Sequence, residues 1–226
     1  NDTIGVVATS LGATKSPYLP RYLSFKNKFK DMGYNIVESK LVHRHRKGEA
    51  GNAKLRAEEF MEIYKNPSID FIISCGGGEL MCEILPYIDF EEIRKYPPKY
   101  FMGYSDNTNL TFTLTTHLDI ATIYGDHAPS FGAEPWHRQN KDAYKIITGK
   151  KFTQVKYGRY QDKNEKSDNP LAPVHGTKII TWKNLENRKK VHMEGRFIGG
   201  CLDCLITLVG TPFDNVSEYT EKYKDE

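Results

Sequence analysis

No apolar run in this sequence of 226 residues is long enough to cross a bilayer as a helix, which excludes a helical membrane anchor within it. Charge of one sign is also scarce. The 32 basic residues face 29 acidic ones, and a net charge of +3 excludes a polyelectrolyte surface for nucleic acid. Cysteines number four, at 75, 82, 201 and 204, too few and too oddly spaced for a secreted disulfide framework, so free thiols in a cytoplasmic protein are expected. The pair Cys201-Leu-Asp-Cys204 sits in an apolar, helix-like run that suits no zinc site, so no metal is expected. Neither a Gly-x-Gly-x-x-Gly fingerprint nor a Walker lysine is present, which leaves little support for a nucleotide cofactor. No signal peptide is read in these residues, and the abrupt opening into a strand suggests that a few leading residues are missing.

What is present is strand–helix alternation. Apolar stretches at Thr3–Ala8, Asn35–Val42, Ile69–Ser74, Lys99–Gly103 and Ile120–Tyr124 are separated by helical patterns near 20–32, 52–65, 78–85, 107–117 and 141–148. The third stretch is nearly all apolar, as in strands covered on both faces. This grammar predicts an α/β fold with an open, mostly parallel sheet flanked by helices, flavodoxin- or Rossmann-like. Ligand sites of such sheets lie outside the strand C-termini. Three small-residue loops follow strands, at 9–13, 75–78 and 104–107, and should meet at one edge. The basic run His43–Lys47 reads as a solvated loop.

After about residue 150 the pattern changes. Thr153–Tyr157 and Lys178–Trp182 alternate as antiparallel strands do, around a polar surface loop at Gln161–Asn169. Met193–Pro212 reads as a turn into a buried helix ending at Gly210, and Ser217–Glu226 as a helix-prone tail with nothing to bury against. The expected division is an N-terminal α/β domain over 1–150, a linker with antiparallel strands over 151–190, and the start of a second, smaller α+β domain over 191–226.

The chemistry centres on Ser105, set between the fourth strand and a helix, where backbone N–H groups favour negative charge. Two readings stand: a nucleophile with the Asp106 N–H beside it, or a serine capping the helix. Gly76-Gly77-Gly78 could supply further N–H donors to an oxyanion, form a tight turn, or hold a phosphate. None of the seven histidines has a spacing that compels the role of base; His127, just past a strand end, lies nearest to qualifying. Trp136 and Trp182 are the aromatic candidates for stacking on a ligand, or else core residues.

Gly103-Tyr-Ser-Asp-Asn-Thr108, together with Gly77-Gly78, Tyr124-Gly125, Ser130-Phe-Gly132, Glu194–Leu202 and Gly210-Thr-Pro212, resembles the LD-carboxypeptidase family of serine peptidases, which includes the microcin C immunity peptidases. The resemblance implies Ser105 as nucleophile, with the N–H groups of Asp106 and Gly78 (or Gly77) as the oxyanion hole, no cofactor and no metal. It implies a Ser–Glu–His triad whose Glu and His match no residue here. The sequence is therefore expected to be a fragment, inactive by itself. The Gly-Gly-Cys-Leu form and Trp182 resemble the microcin-immunity branch, which implies a peptidyl or aminoacyl nucleotide as substrate, with Gly77 and Trp182 as contacts. Alternatives are a murein tetrapeptide LD-carboxypeptidase and a non-catalytic module binding a small anion. No nucleic acid or membrane partner is implied, and a homodimer, frequent in the family, is an expectation.

Overall fold

A computed structural model describes residues 2–162, 167–183 and 191–225. Five strands form one parallel sheet in the order β2-β1-β3-β4-β5, with β1 at Thr3–Val7, β2 at Asn35–Glu38, β3 at Phe71–Ser74, β4 at Tyr100–Gly103 and β5 at Ile123–Tyr124. The register pairs Val7 with Ser74, Ile73 with Met102 and Gly103 with Tyr124, so the segments after β1, β3, β4 and β5 leave the sheet along one edge. The order reverses at β1/β3, where such sheets open a crevice.

Side chains alternate across the sheet as a strand period of two requires. Ile4, Val6, Ile73 and Met102 face α1 (Tyr18–Asp31), through Tyr22, Phe25 and Phe29, with α5 (Arg138–Ile147) against the same layer. Val7, Ile72 and Phe101 face the other layer, built by α2 (Ala53–Lys65), the 3-10 turn Met81–Tyr87, α3 (Phe90–Ile93) and α4 (Thr108–Leu118). The helix starts are encoded locally: the Asn52 side chain accepts the Leu55 N–H at the head of α2, and His137 accepts the Gln139 N–H at the head of α5.

The fold class expected from the sequence is the one observed; several element bounds differ. The second strand stops at Glu38 because Ser39–Val42 turns back, with Val42 N–H donating to Ser39. The segment after Gly78 is a 3-10 helix over Met81–Tyr87 rather than an α-helix, with Pro86 inside it. The strand expected at Thr153–Tyr157 is displaced to β6 (Arg159–Tyr160), which pairs antiparallel with β7 (Lys178–Ile179); Phe152 and Val155 are exposed. The polar loop expected at Gln161–Asn169 falls partly on 163–166, outside the described residues. The run expected to be a buried helix is short and mostly exposed: in α6 (Leu202–Leu208) only Leu208 is buried, whereas Leu202 and Ile206 face out. The final segment does find partners. In α7 (Val216–Lys222) Tyr219 is buried and Val216 packs on the α4 layer, while Lys222 and Tyr223 hydrogen-bond Asp119 at the end of α4.

Candidate active site

Tyr104 leaves β4 in an extended conformation, and Ser105 then takes φ +61° before the turn that starts α4. That left-handed conformation costs a serine on the order of 1–3 kcal/mol and persists only where the surroundings impose it. They do so through Asn107. Gly103 has no side chain, and a Cβ there would lie 2.9 Å from Asn107 Cβ, so the Asn107 side chain folds back against the sheet edge. Fully buried, Asn107 donates from Nδ2 to the carbonyls of Gly76 (3.0 Å) and Tyr104 (3.2 Å), and its Oδ1 accepts from Thr9 Oγ1 (3.1 Å). One amide thereby ties together the loops after β1, β3 and β4.

The loop after β5 joins through His127. Its Nε2 lies 3.1 Å from Asn107 Nδ2, 3.3 Å from the Tyr104 N–H and 3.1 Å from the Tyr104 carbonyl, so it meets donors and an acceptor alike, and its ring stacks on Tyr104 with centroids 4.1 Å apart. Burial pushes the imidazole down to about 4, against a hydrogen bond with the Tyr104 backbone that raises it, and the ring is neutral at physiological pH. The histidine that the sequence brought nearest to candidacy thus reaches the site, but it grips the backbone before Ser105 rather than the hydroxyl. Among the described residues none hydrogen-bonds Ser105 Oγ; the Ser105 N–H donates to Tyr124 Oη (3.1 Å), and its carbonyl accepts from Thr108 Oγ1 (2.8 Å).

Asp106 points inward. Its carboxylate accepts from Ser10 Oγ (2.5 Å) and from the backbone N–H groups of Gly78 and Met81; burial pushes the carboxyl up, and these bonds pull it back down. Gly78 N–H is therefore turned to Asp106. Its neighbour Gly77 lies against Ser105: a Cβ on Gly77 would sit 3.1 Å from Ser105 Cβ and 3.1 Å from His127 Cε1. Of the expected residues, Ser105, Asp106, Gly77 and Gly78 converge. Trp182 does not join them; it is 71% exposed, past the small sheet, and Trp136 is packed on Phe29 and Phe131.

A cleft of about 1590 Å³ is lined by Tyr104, Tyr124, Asp126, Asn140 and His175; it reaches the residue before Ser105 and the tyrosine that binds the Ser105 N–H, while Ser105 itself is not in its lining. Arg21 fixes one wall by donating to the carbonyls of Pro170 (2.7 Å) and Ala172 (2.6 Å). Behind the site, fully buried Arg56 donates to Thr9 and Leu80 carbonyls and pairs with Glu83 (2.8 Å), holding the first loop to the second layer. The His43–Lys47 loop is exposed, as expected, with His43 bonded to Glu38. Sequence reasoning missed the side-chain roles of Ser10, Asp106, Asn107 and Arg56. Only the Gly103…Asn107 spacing hinted at them, since a glycine four residues before an asparagine permits that fold-back.

The chain is similar to the microcin C7 self-immunity protein MccF of Escherichia coli, 30% identical over 225 residues covering 93% of this chain and 62% of that protein. It is similar also to a probable murein peptide carboxypeptidase of Bacillus subtilis, 26% identical over 94% of this chain and 58% of that protein. The structure of MccF in complex with aspartyl sulfamoyl adenosine superposes with a TM-score of 0.76 at 28% identity, covering 94% of this chain and 64% of that one. The chain thus spans about three fifths of the length of the relatives it matches. Residues 4–125, which hold the parallel sheet but for its first residue, Ser105 and the glycine loop, match the LD-carboxypeptidase N-terminal domain, and the chain belongs to the LD-carboxypeptidase family.

Proposed function

We propose that this chain carries the nucleophile and oxyanion hole of a serine peptidase that cleaves an amide in a small peptide conjugate. The observation that carries the reading is Ser105 at φ +61° with Gly77 against it, next to a cleft lined by its neighbour Tyr104 and its hydrogen-bond partner Tyr124. Ser105 Oγ attacks the amide carbonyl carbon. The carbonyl oxygen becomes an oxyanion, held by the Asp106 N–H and an N–H of the glycine loop; Gly77 suits this better than Gly78, whose N–H is engaged by Asp106. The amine leaves with a proton, and water hydrolyses the acyl-enzyme.

All seven histidines lie among the described residues, and none is bonded to Ser105 Oγ. The 226-residue chain by itself therefore hydrolyses at a negligible rate, because an unactivated serine is a weak nucleophile. The substrate class is a peptidyl or aminoacyl nucleotide of the microcin C type. Its support is the likeness to MccF, whose structure holds aspartyl sulfamoyl adenosine. The cleft, with its two tyrosine faces, would receive it; Trp182 contributes only if its segment closes over. Cytoplasmic residence and a homodimer are carried into this proposal from the family alone. Calorimetric titration with aspartyl sulfamoyl adenosine and with a murein tetrapeptide tests the substrate class. Binding of the nucleotide conjugate alone is expected; binding of the tetrapeptide alone assigns the chain to murein peptides instead.

A further inference from the structure

The Ser105 turn rests on a pair of thiols that the reaction does not use. Cys201 is the N-cap of α6 and Cys204 lies in its first turn. The Cys204 N–H donates to the Cys201 carbonyl (3.1 Å), which closes a four-residue turn and brings the two Cα atoms within the span that a disulfide can bridge. Both thiols are half-buried rather than sealed, unlike Cys75, and both are free. The pair is also fastened to the elbow. The Cys201 N–H donates to Thr108 Oγ1 (2.9 Å), the same hydroxyl that donates to the Ser105 carbonyl, and Cys204 Sγ lies 3.8 Å from that carbonyl as a second donor.

We infer that Cys201 and Cys204 form a reversible dithiol–disulfide pair beneath the Ser105 elbow, oxidised by a low-molecular-weight disulfide such as glutathione disulfide. The Cys201 thiolate attacks one sulfur of the small disulfide, forms a mixed disulfide and expels one small thiolate. The Cys204 thiolate then attacks Cys201 Sγ, closes the internal bond and expels the second. Two protein thiols lose two electrons and two protons, which end on two small-molecule thiols. Burial pushes the Cys204 thiol up to about 12, with the neighbouring Cys201 adding to the effect. Little Cys204 thiolate is present at neutral pH, so the closing step is slow and the pair is read at equilibrium. Oxidation removes the S–H that Cys204 directs at the Ser105 carbonyl and leaves Thr108 as its side-chain donor.

The test equilibrates the 226-residue chain in mixtures of reduced and oxidised glutathione, quenches in acid, blocks thiols with N-ethylmaleimide and weighs the tryptic fragments. Phe197–Lys222 holds Cys201 and Cys204 with no internal lysine or arginine, and Asn66–Arg94 holds Cys75 and Cys82. As the poise becomes oxidising, Phe197–Lys222 is expected to lose both maleimide groups together and to become two hydrogens lighter. The Cys82→Ser variant is expected to behave identically. Two maleimides on Phe197–Lys222 at every poise overturn the inference, as do retained glutathione in place of the internal bond, or a cross-link to Asn66–Arg94.

Discussion

Acidification should loosen this protein through one buried imidazole. His127 is only 7% exposed and its ring is pushed down to about 4, against an ordinary value of 6.5 in the unfolded chain. Between those two values the unfolded state binds the proton and the folded state does not, so stability falls as pH falls through this window. It levels off below about 4 and is unaffected above about 6.5. At about 1.4 kcal/mol for each tenfold change in proton affinity, the window accounts for about 3 kcal/mol. The perturbation is His127→Gln, whose amide keeps an acceptor for the Asn107 and Tyr104 donors but does not titrate. Urea unfolding of both proteins is measured from pH about 7 to about 4.5. Asp106 and Asp126, whose carboxyls burial pushes up, act in the opposite direction at low pH, but they are common to both proteins and cancel in the difference. Wild type should lose about 2.4 kcal/mol more than the variant between pH about 7 and about 4.5. Parallel curves would refute the claim that a neutral, buried His127 holds the elbow.

Two further substitutions probe the scaffold. Asn107→Ala strips the amide that serves Thr9, Gly76 and Tyr104, and strands a buried hydroxyl and carbonyls at about 1–3 kcal/mol each. Denaturant unfolding should show a loss of about 3 kcal/mol, whereas a loss below about 1 kcal/mol would mean that the loops hold without it. Gly132→Ala places a Cβ 1.8 Å from the Arg21 carbonyl in α1, a backbone atom that cannot rotate away. A loss of about 3 kcal/mol is expected by thermal or urea unfolding, and wild-type stability would show that α1 moves freely there.

The sheet and its active edge were legible because parallel strands buried on both faces write themselves as apolar runs, and because small residues mark where each run ends. Ser105, Gly77 and Gly78 followed from that edge. The buried network behind them was not legible. Asn107 and Asp106 read locally as ordinary helix-start residues, and only the tertiary approach of Ser10, Thr9, Gly76 and His127 gives them their partners. The region after residue 150 misled for the same reason. Its apolar residues alternate or cluster as core residues do, yet Phe152, Leu202 and Ile206 are exposed, because burial is a property of the neighbours and not of the pattern.

The central claim is that Ser105 is a nucleophile beside a formed oxyanion hole. An oxyanion hole without its base still leaves on the order of 10³–10⁴-fold catalysis over water in serine hydrolases. A fluorophosphonate should therefore label this chain slowly, at Ser105 alone, and faster when free imidazole is added as a substitute base. The Ser105→Ala chain should take up no label. Label spread over several serines, or an equal yield from Ser105→Ala, would contradict the account.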